Sequence, residues 1–423
     1  MTKSYKIFLI LFSLMSILVA GVGWLLNPEL KVITQAQLDL DDKLGAKTLP
    51  VVLEKVSSMN LNMTFVFQGN SQRQGIYLES LLPKEGSVKV LFPEINVDLH
   101  TAMKSIPAVD ESGIYIGSDT GWFYKLSKEG KVLWSHFAES SGKGFHGTAL
   151  LTEDHVFIGS YGGHFYCFEK ESGALIWVHR LGMAIGASAV MSDGFLYLSV
   201  ENKDSGFVVK LNPLDGQSLW RSPLWSAALH ASPVISEDGQ IVISADLSGE
   251  VKAMDVASGE FLWSYGTGAI IRSTPVIFKN QVFVSNFKNT LLSFNVKTGK
   301  LLWERRIDDL SISSISINVE EELGYVATAK ATLAIRLGDG TTVAQVNKPK
   351  HKNYITPTLG SMKGHGKVVV ASCAEQELCF YSLSLDRTIK KMQIPGVLNS
   401  SVSLFQDALY MGTRSAGGLL VYD

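Results

Sequence analysis

Five tryptophans constrain this chain more than anything else in it. Trp134, Trp177, Trp220, Trp263 and Trp303 recur every 40–43 residues, each closing the same short phrase: "EGKVLWSHF", "SGALIWVHR", "DGQSLWRSP", "SGEFLWSYG" and "TGKLLWERR". Self-similarity at this period means a propeller or a solenoid. Inside one period, residues 231–263, the β-rich runs "ASPVIS", "IVISA", "EVKAMDV" and "EFLW" are separated by the turns "EDGQ", "DLSG" and "ASG". That is the pattern of successive hairpins, and helical periodicity is missing. Four antiparallel strands per unit make one propeller blade, so the expected class is all-β.

First strands can be counted at "IPAVD" (106), "GTALL" (147), "ASAVM" (187), "ASPVI" (231), "STPVI" (273), "SSISI" (313), "TPTLG" (356) and "SSVSL" (400), which predicts an eight-bladed β-propeller of four-stranded antiparallel blades. The eighth unit stops at "GGLLVYD" without a fourth strand. Upstream, "PKEGSVKVLFPEI" (83–95) reads like the fourth strand "SKEGKVLWSHF", with Phe92 in the place of Trp134. This N-terminal strand is expected to complete the last blade and close the ring, leaving only short, protected edges. A blade cannot bury both faces alone. Phe92 and the five tryptophans are therefore read as docking residues that stack on the neighbouring blade, each burying about 150–250 Å². The glycine four residues before each tryptophan supplies the tight turn. Ala344 and Lys391 fall at or near the tryptophan position in units six and seven, where the weakest blade packing is expected.

The N-terminus differs. "MTKSYK" precedes twenty uncharged residues, 7–26, and Glu29 follows. At 1.5 Å per residue the run spans roughly 30 Å, about a bilayer core. The basic side lies first, so the rest of the chain is expected outside the cytoplasm. Residues 1–26 read as a signal anchor (transmembrane helix) or signal peptide, 27–82 as a stalk or small cap, and 83–423 as the propeller. Localisation follows: the periplasmic side of the inner membrane if anchored, soluble periplasmic if cleaved. The formal charge is −2 with no Lys/Arg-rich run, which argues against nucleic acid as a partner. Three cysteines do not make a disulfide scaffold.

Segments such as "GSYGGHFYCFEKESGALIW" (159–177), "ADLSGEVKAMDVASGEFLW" (245–263) and "SNFKNTLLSFNVKTGKLLW" (285–303) resemble the pyrroloquinoline-quinone-type propeller repeat. The resemblance covers about 83–423 and is weak at 310–395. It implies the fold and leaves function open. One branch is the quinoprotein dehydrogenases, with a quinone and calcium in the central channel, a vicinal Cys-Cys disulfide, and acidic ligands with a catalytic Asp. This chain has no adjacent cysteines, and Asp119, Glu201 and Asp246 fall in ordinary turns. The other is the non-catalytic BamB-like branch. That branch implies an exported protein-binding scaffold of the cell envelope, working with β-barrel assembly components, with no catalytic residues, cofactor or metal. The alternative readings are a small-ligand or sugar-binding sensor at the channel and, behind it, a quinone-dependent dehydrogenase.

The residue just before each first strand should stand at the mouth of the central channel. These are Lys104, His146, Gly186, His230, Arg272, a serine within 311–314, Tyr354 and Asn399. The set is polar, partly basic and different in every blade, so Lys104, His146, His230, Arg272, Tyr354 and Asn399 are the binding candidates. Arg272, Lys104 and the two histidines suit a small anion. Cys373 and Cys379 flank "AEQEL" on two hairpin arms, a candidate disulfide in an oxidising compartment. Cys167 reads as a buried thiol.

Overall fold

A computed structural model describes residues 59–92, 105–138, 144–307, 309, 311, 313–349, 355–398, 400–414 and 418–423. The apolar run 7–26 and residues 27–58 lie outside the described residues. Among those described, no helix is long and apolar enough to cross a membrane.

Among the described residues, the strands form eight antiparallel blades. Blade 3 shows the plan: Val190–Ser192, Phe195–Glu201, Gly206–Leu211 and Ser218–Arg221 pair in that order from the inside outward. The three inner strands lie between neighbouring blades, so both their faces are covered and they read as nearly continuous apolar runs. The outermost strand has one solvated face and alternates. In Phe261–Gly266 the odd positions are half-buried and the even ones exposed.

The ring closes through the N-terminal strand. Val88–Phe92 pairs antiparallel with Leu419–Tyr422 and supplies the fourth strand of blade 8. Phe92 is buried, with its ring 5.0 Å from that of Tyr124 in blade 1. Its register is that of a tryptophan: Phe92 follows a bulge at Leu91 and pairs with Leu419, as Trp134 follows one at Leu133 and pairs with Lys125. The turn glycine of blade 1, Gly130, is covered by Leu91.

The tryptophans join consecutive blades by one geometry. Each indole Nε1 donates to a backbone carbonyl in the third-to-fourth-strand turn of the next blade: Trp134 to Lys170 (3.0 Å), Trp177 to Pro213 (2.8 Å), Trp220 to Val256 (3.0 Å), Trp263 to Val296 (2.7 Å) and Trp303 to Leu337 (2.9 Å). The turn glycine has two reasons to be glycine. Gly216 has φ +70°, and a Cβ there would lie 2.7 Å from the Trp177 ring. It serves its own turn and also seats the indole arriving from the preceding blade. Blades 6 and 7 substitute other groups at this joint. Tyr325 in blade 6 donates its hydroxyl to Leu383 O in the blade 7 turn at 2.9 Å. Lys390 in blade 7 lies 4.6 Å over the Tyr422 ring of blade 8 and donates to its hydroxyl.

Residues 59–82 run around the inside of the ring and meet every blade. Met63–Phe65 pairs with the first strand of blade 2, and Thr64 donates to Asp110 of blade 1. Ser71 Oγ donates to Met191 O in blade 3. Backbone N–H groups of Ile235, Ile277, Ile317 and Leu359, in blades 4 to 7, donate to the carbonyls of Ser71, Gln72, Gln74 and Gly75. Ile76–Leu82 then runs parallel to Thr358–Met362 in blade 7, and Leu81 N–H reaches Gln406 O in blade 8. This belt holds Arg73, which is fully buried. Its guanidinium donates to four carbonyls, those of Phe67, Ser188, Ala189 and Pro233. Burial lowers its pKa to about 9.

Candidate functional site: the mouth of the channel

The links into each first strand surround one end of the channel, and a hydroxyl girdle organises them. In blades 2 to 7 the lead-in triplet carries a Ser or Thr whose side chain accepts a backbone N–H from the preceding blade. Ile106 N–H donates to Thr148 Oγ1, Thr148 to Ser188, Ser188 to Ser232, Ser232 to Thr274, Thr274 to Ser314, and Ser314 to Thr356, at 2.9–3.4 Å. The girdle satisfies backbone donors that no strand ladder can reach, because each lies at a blade boundary. In the sequence it shows only as the recurring [ST] of the lead-in, beside a residue that varies from blade to blade.

Inside the girdle is a cavity of about 350 Å³, floored by Phe67 of the belt and lined by all six of these Ser and Thr residues. Of the rim candidates, His146, His230 and Arg272 line it, together with Gly186, Ser313 and Ser314. Lys104, Tyr354 and Asn399 lie outside the described residues. Each histidine has a carboxylate from the blade before it. His146 Nε2 is 2.7 Å from Asp119 Oδ1, and His230 Nδ1 is 3.2 Å from Glu201 Oε1. Tyr161 stands between them, its ring centroid 4.0 Å from that of His146 and 6.3 Å from that of His230. Burial, and then the Glu201 charge, push its hydroxyl up to about 12, so it is a neutral donor at ordinary pH. Gly186 leaves the room this needs, since a Cβ there would come within 2.7 Å of the Tyr161 ring and 3.0 Å of Glu201 Oε1. Arg272 is exposed, its guanidinium 5.5 Å over Phe287. Arg414, also at the cavity, lies 4.0 Å from Glu375.

The quinone-and-calcium requirement is not met by these residues. Asp119 and Glu201 are turned to histidines, and Asp246 Oδ1 accepts from Ser248 and Glu250 to tie its own turn. They belong to three different blades. Among the described residues, the sole group of three His, Cys, Asp or Glu within metal-ligand range is Cys373, Glu377 and Cys379. There the two sulfurs are bonded to each other, joining the second and third strands of blade 7. Cys167 is a buried free thiol whose pKa burial pushes up.

A family model described as "Outer membrane protein assembly factor BamB" matches residues 119–346 and 204–423, together most of the chain. The chain belongs to the BamB family. The "Outer membrane protein assembly factor BamB" of Yersinia pestis is 25% identical over 276 residues, covering 60% of this chain and 67% of that relative. The crystal structure of BamB from Moraxella catarrhalis superposes with a TM-score of 0.62 at 16% identity, covering 78% of this chain and 99% of that one. This likeness shows the fold. The repeat also reaches enzymes. "Quinoprotein alcohol dehydrogenase PedH" of Pseudomonas putida is 24% identical over 173 residues, which cover 37% of this chain and 28% of that enzyme.

Proposed function

We propose that this BamB-family chain is a non-catalytic scaffold of the cell envelope that binds proteins engaged in outer-membrane protein assembly. The observation that carries the reading is an arc of apolar side chains in three consecutive blade-to-blade links. Met183, Leu224 and Ile270 are 56%, 66% and 40% exposed. These links bound the face that carries the channel mouth. Large apolar groups held out in successive loops suit a protein partner and gain nothing for the ring itself. The Cys373–Cys379 disulfide suits an oxidising compartment, in keeping with export to the periplasm. The apolar run 7–26 would then hold the propeller at the inner membrane unless it is cleaved. Against the dehydrogenase reading stand the dispersed carboxylates and the absence of adjacent cysteines.

The test is affinity purification of the tagged full-length chain after in-cell crosslinking, beside a Met183→Asp/Leu224→Asp double variant. Wild type should recover outer-membrane assembly components. The variant should lose most of that recovery while keeping its melting temperature, because both side chains are exposed. Equal recovery by the two proteins would move the contact elsewhere.

A further inference from the structure

We propose that the channel mouth binds a small oxyanion, a carboxylate- or phosphate-bearing molecule, within the hydroxyl girdle. The girdle is a ring of donors. Thr148, Ser188, Ser232, Thr274, Ser314 and Thr356 are each at least nine-tenths buried, and each already accepts a backbone N–H. A hydroxyl that accepts has one proton left to give. All six line the cavity, and no acceptor for those protons is found among the described residues. Ser400 adds a stronger sign. It lines the same cavity and is 7% exposed, and among the described residues its Oγ has no hydrogen-bond partner. Buried polar groups left unpaired are rare enough to call for a partner.

Two arginines without a carboxylate in salt-bridge range among the described residues, Arg73 and Arg272, favour an anion as that partner. Arg73 stands behind the Phe67 floor, its guanidinium 5.1 Å from the ring, and it also donates to Ser188 O in the cavity wall. It is held by carbonyls and, among the described residues, has no carboxylate in salt-bridge range. Its charge lies just behind the cavity lining, on the far side of Phe67. Arg272 lines the opening and can offer a planar pair of donors. The carboxylates nearby are engaged: Asp119 with His146, Glu201 with His230, and Glu375 with Arg414. A ring of hydroxyl donors beside the Arg272 guanidinium fits carboxylate or phosphate oxygens. A volume of about 350 Å³ suits a molecule at the small end of ligand size. This site is independent of the scaffold reading, since its residues lie inside the channel and the apolar arc lies outside it.

The experiment is isothermal titration of the full-length chain in detergent, at low salt, with citrate, with inorganic phosphate, and with sorbitol as a neutral polyol. Saturable one-to-one heat with citrate or phosphate and none with sorbitol is expected, and which of the two binds assigns the class. Arg272→Gln should weaken binding about tenfold or more, as loss of a charge-assisted donor pair requires. Ser400→Ala should weaken it several-fold without lowering the melting temperature. Leu224→Ala should leave it unchanged, which separates this site from the protein-binding face. No heat with either anion up to about 10 mM, equal binding of sorbitol, or full affinity in Arg272→Gln would each overturn the proposal.

Discussion

Replacing Arg73 with methionine is expected to destabilise the propeller by about 3–5 kcal/mol, read as a shift in the denaturation midpoint. The side chain is fully buried and donates to Phe67, Ser188, Ala189 and Pro233 carbonyls, so its loss strands acceptors in the belt and in blades 3 and 4 together. Each buried acceptor left unpaired costs about 1–3 kcal/mol, and partial relaxation brings the sum down to the stated range. Arg73→Lys should fall between, because an ammonium keeps the charge and loses the fork that serves several carbonyls. A loss under about 1 kcal/mol would mean that water or neighbouring groups replace the guanidinium, and that the belt is laid over the ring without helping to hold it.

Trp177→Ala should cause a loss of similar size, again about 3–5 kcal/mol. The indole is 5% exposed and packs between Phe157 and Phe165 of its own blade, and its Nε1 donates to Pro213 O of the next. Truncation removes the apolar contact and leaves that carbonyl without its donor. Trp177→Phe keeps most of the packing and should lose about 1–2 kcal/mol. Gly216→Ala attacks the same joint from the other side. Its Cβ would lie 2.4 Å from His179 Cδ2 and 2.7 Å from Trp177 Cε3, at a φ of +70°. Equilibrium denaturation of the three variants checks the set. If Trp177→Ala were no worse than Trp177→Phe, the indole would not be the blade-to-blade joint described here.

The repeat made the ring legible because its cause is periodic. Every blade needs the same turn, the same apolar inner strands and the same large side chain at the joint, so Trp134, Trp177, Trp220, Trp263 and Trp303 stand in register in the sequence as they do in space. Closure by 88–92 was legible for the same reason, and Phe92 stands in the tryptophan's register, although Leu91 takes the seat over Gly130. The rim was half legible. Position in the repeat brought His146, His230 and Arg272 to one mouth, but the carboxylates that engage the histidines come from turns of the preceding blades, a pairing that only the third dimension makes. The belt 59–82 was not legible. It occurs once, contacts each blade through a different residue, and pairs mainly through backbone groups, so nothing in it repeats. Nothing in the sequence singles out Arg73 for that reason.

The central claim is that the mouth face of this ring meets a protein of the outer-membrane assembly machinery. The most direct measurement places a photo-crosslinking residue at position 224 in the full-length chain, in living cells. A second chain carries it at position 297, an exposed site in a third-to-fourth-strand turn on the opposite face. Mass spectrometry should identify outer-membrane assembly components attached at 224 and not at 297. Capture of such a component at 297 with none at 224 would contradict the assignment of the face. No such component at either position would contradict the scaffold role itself.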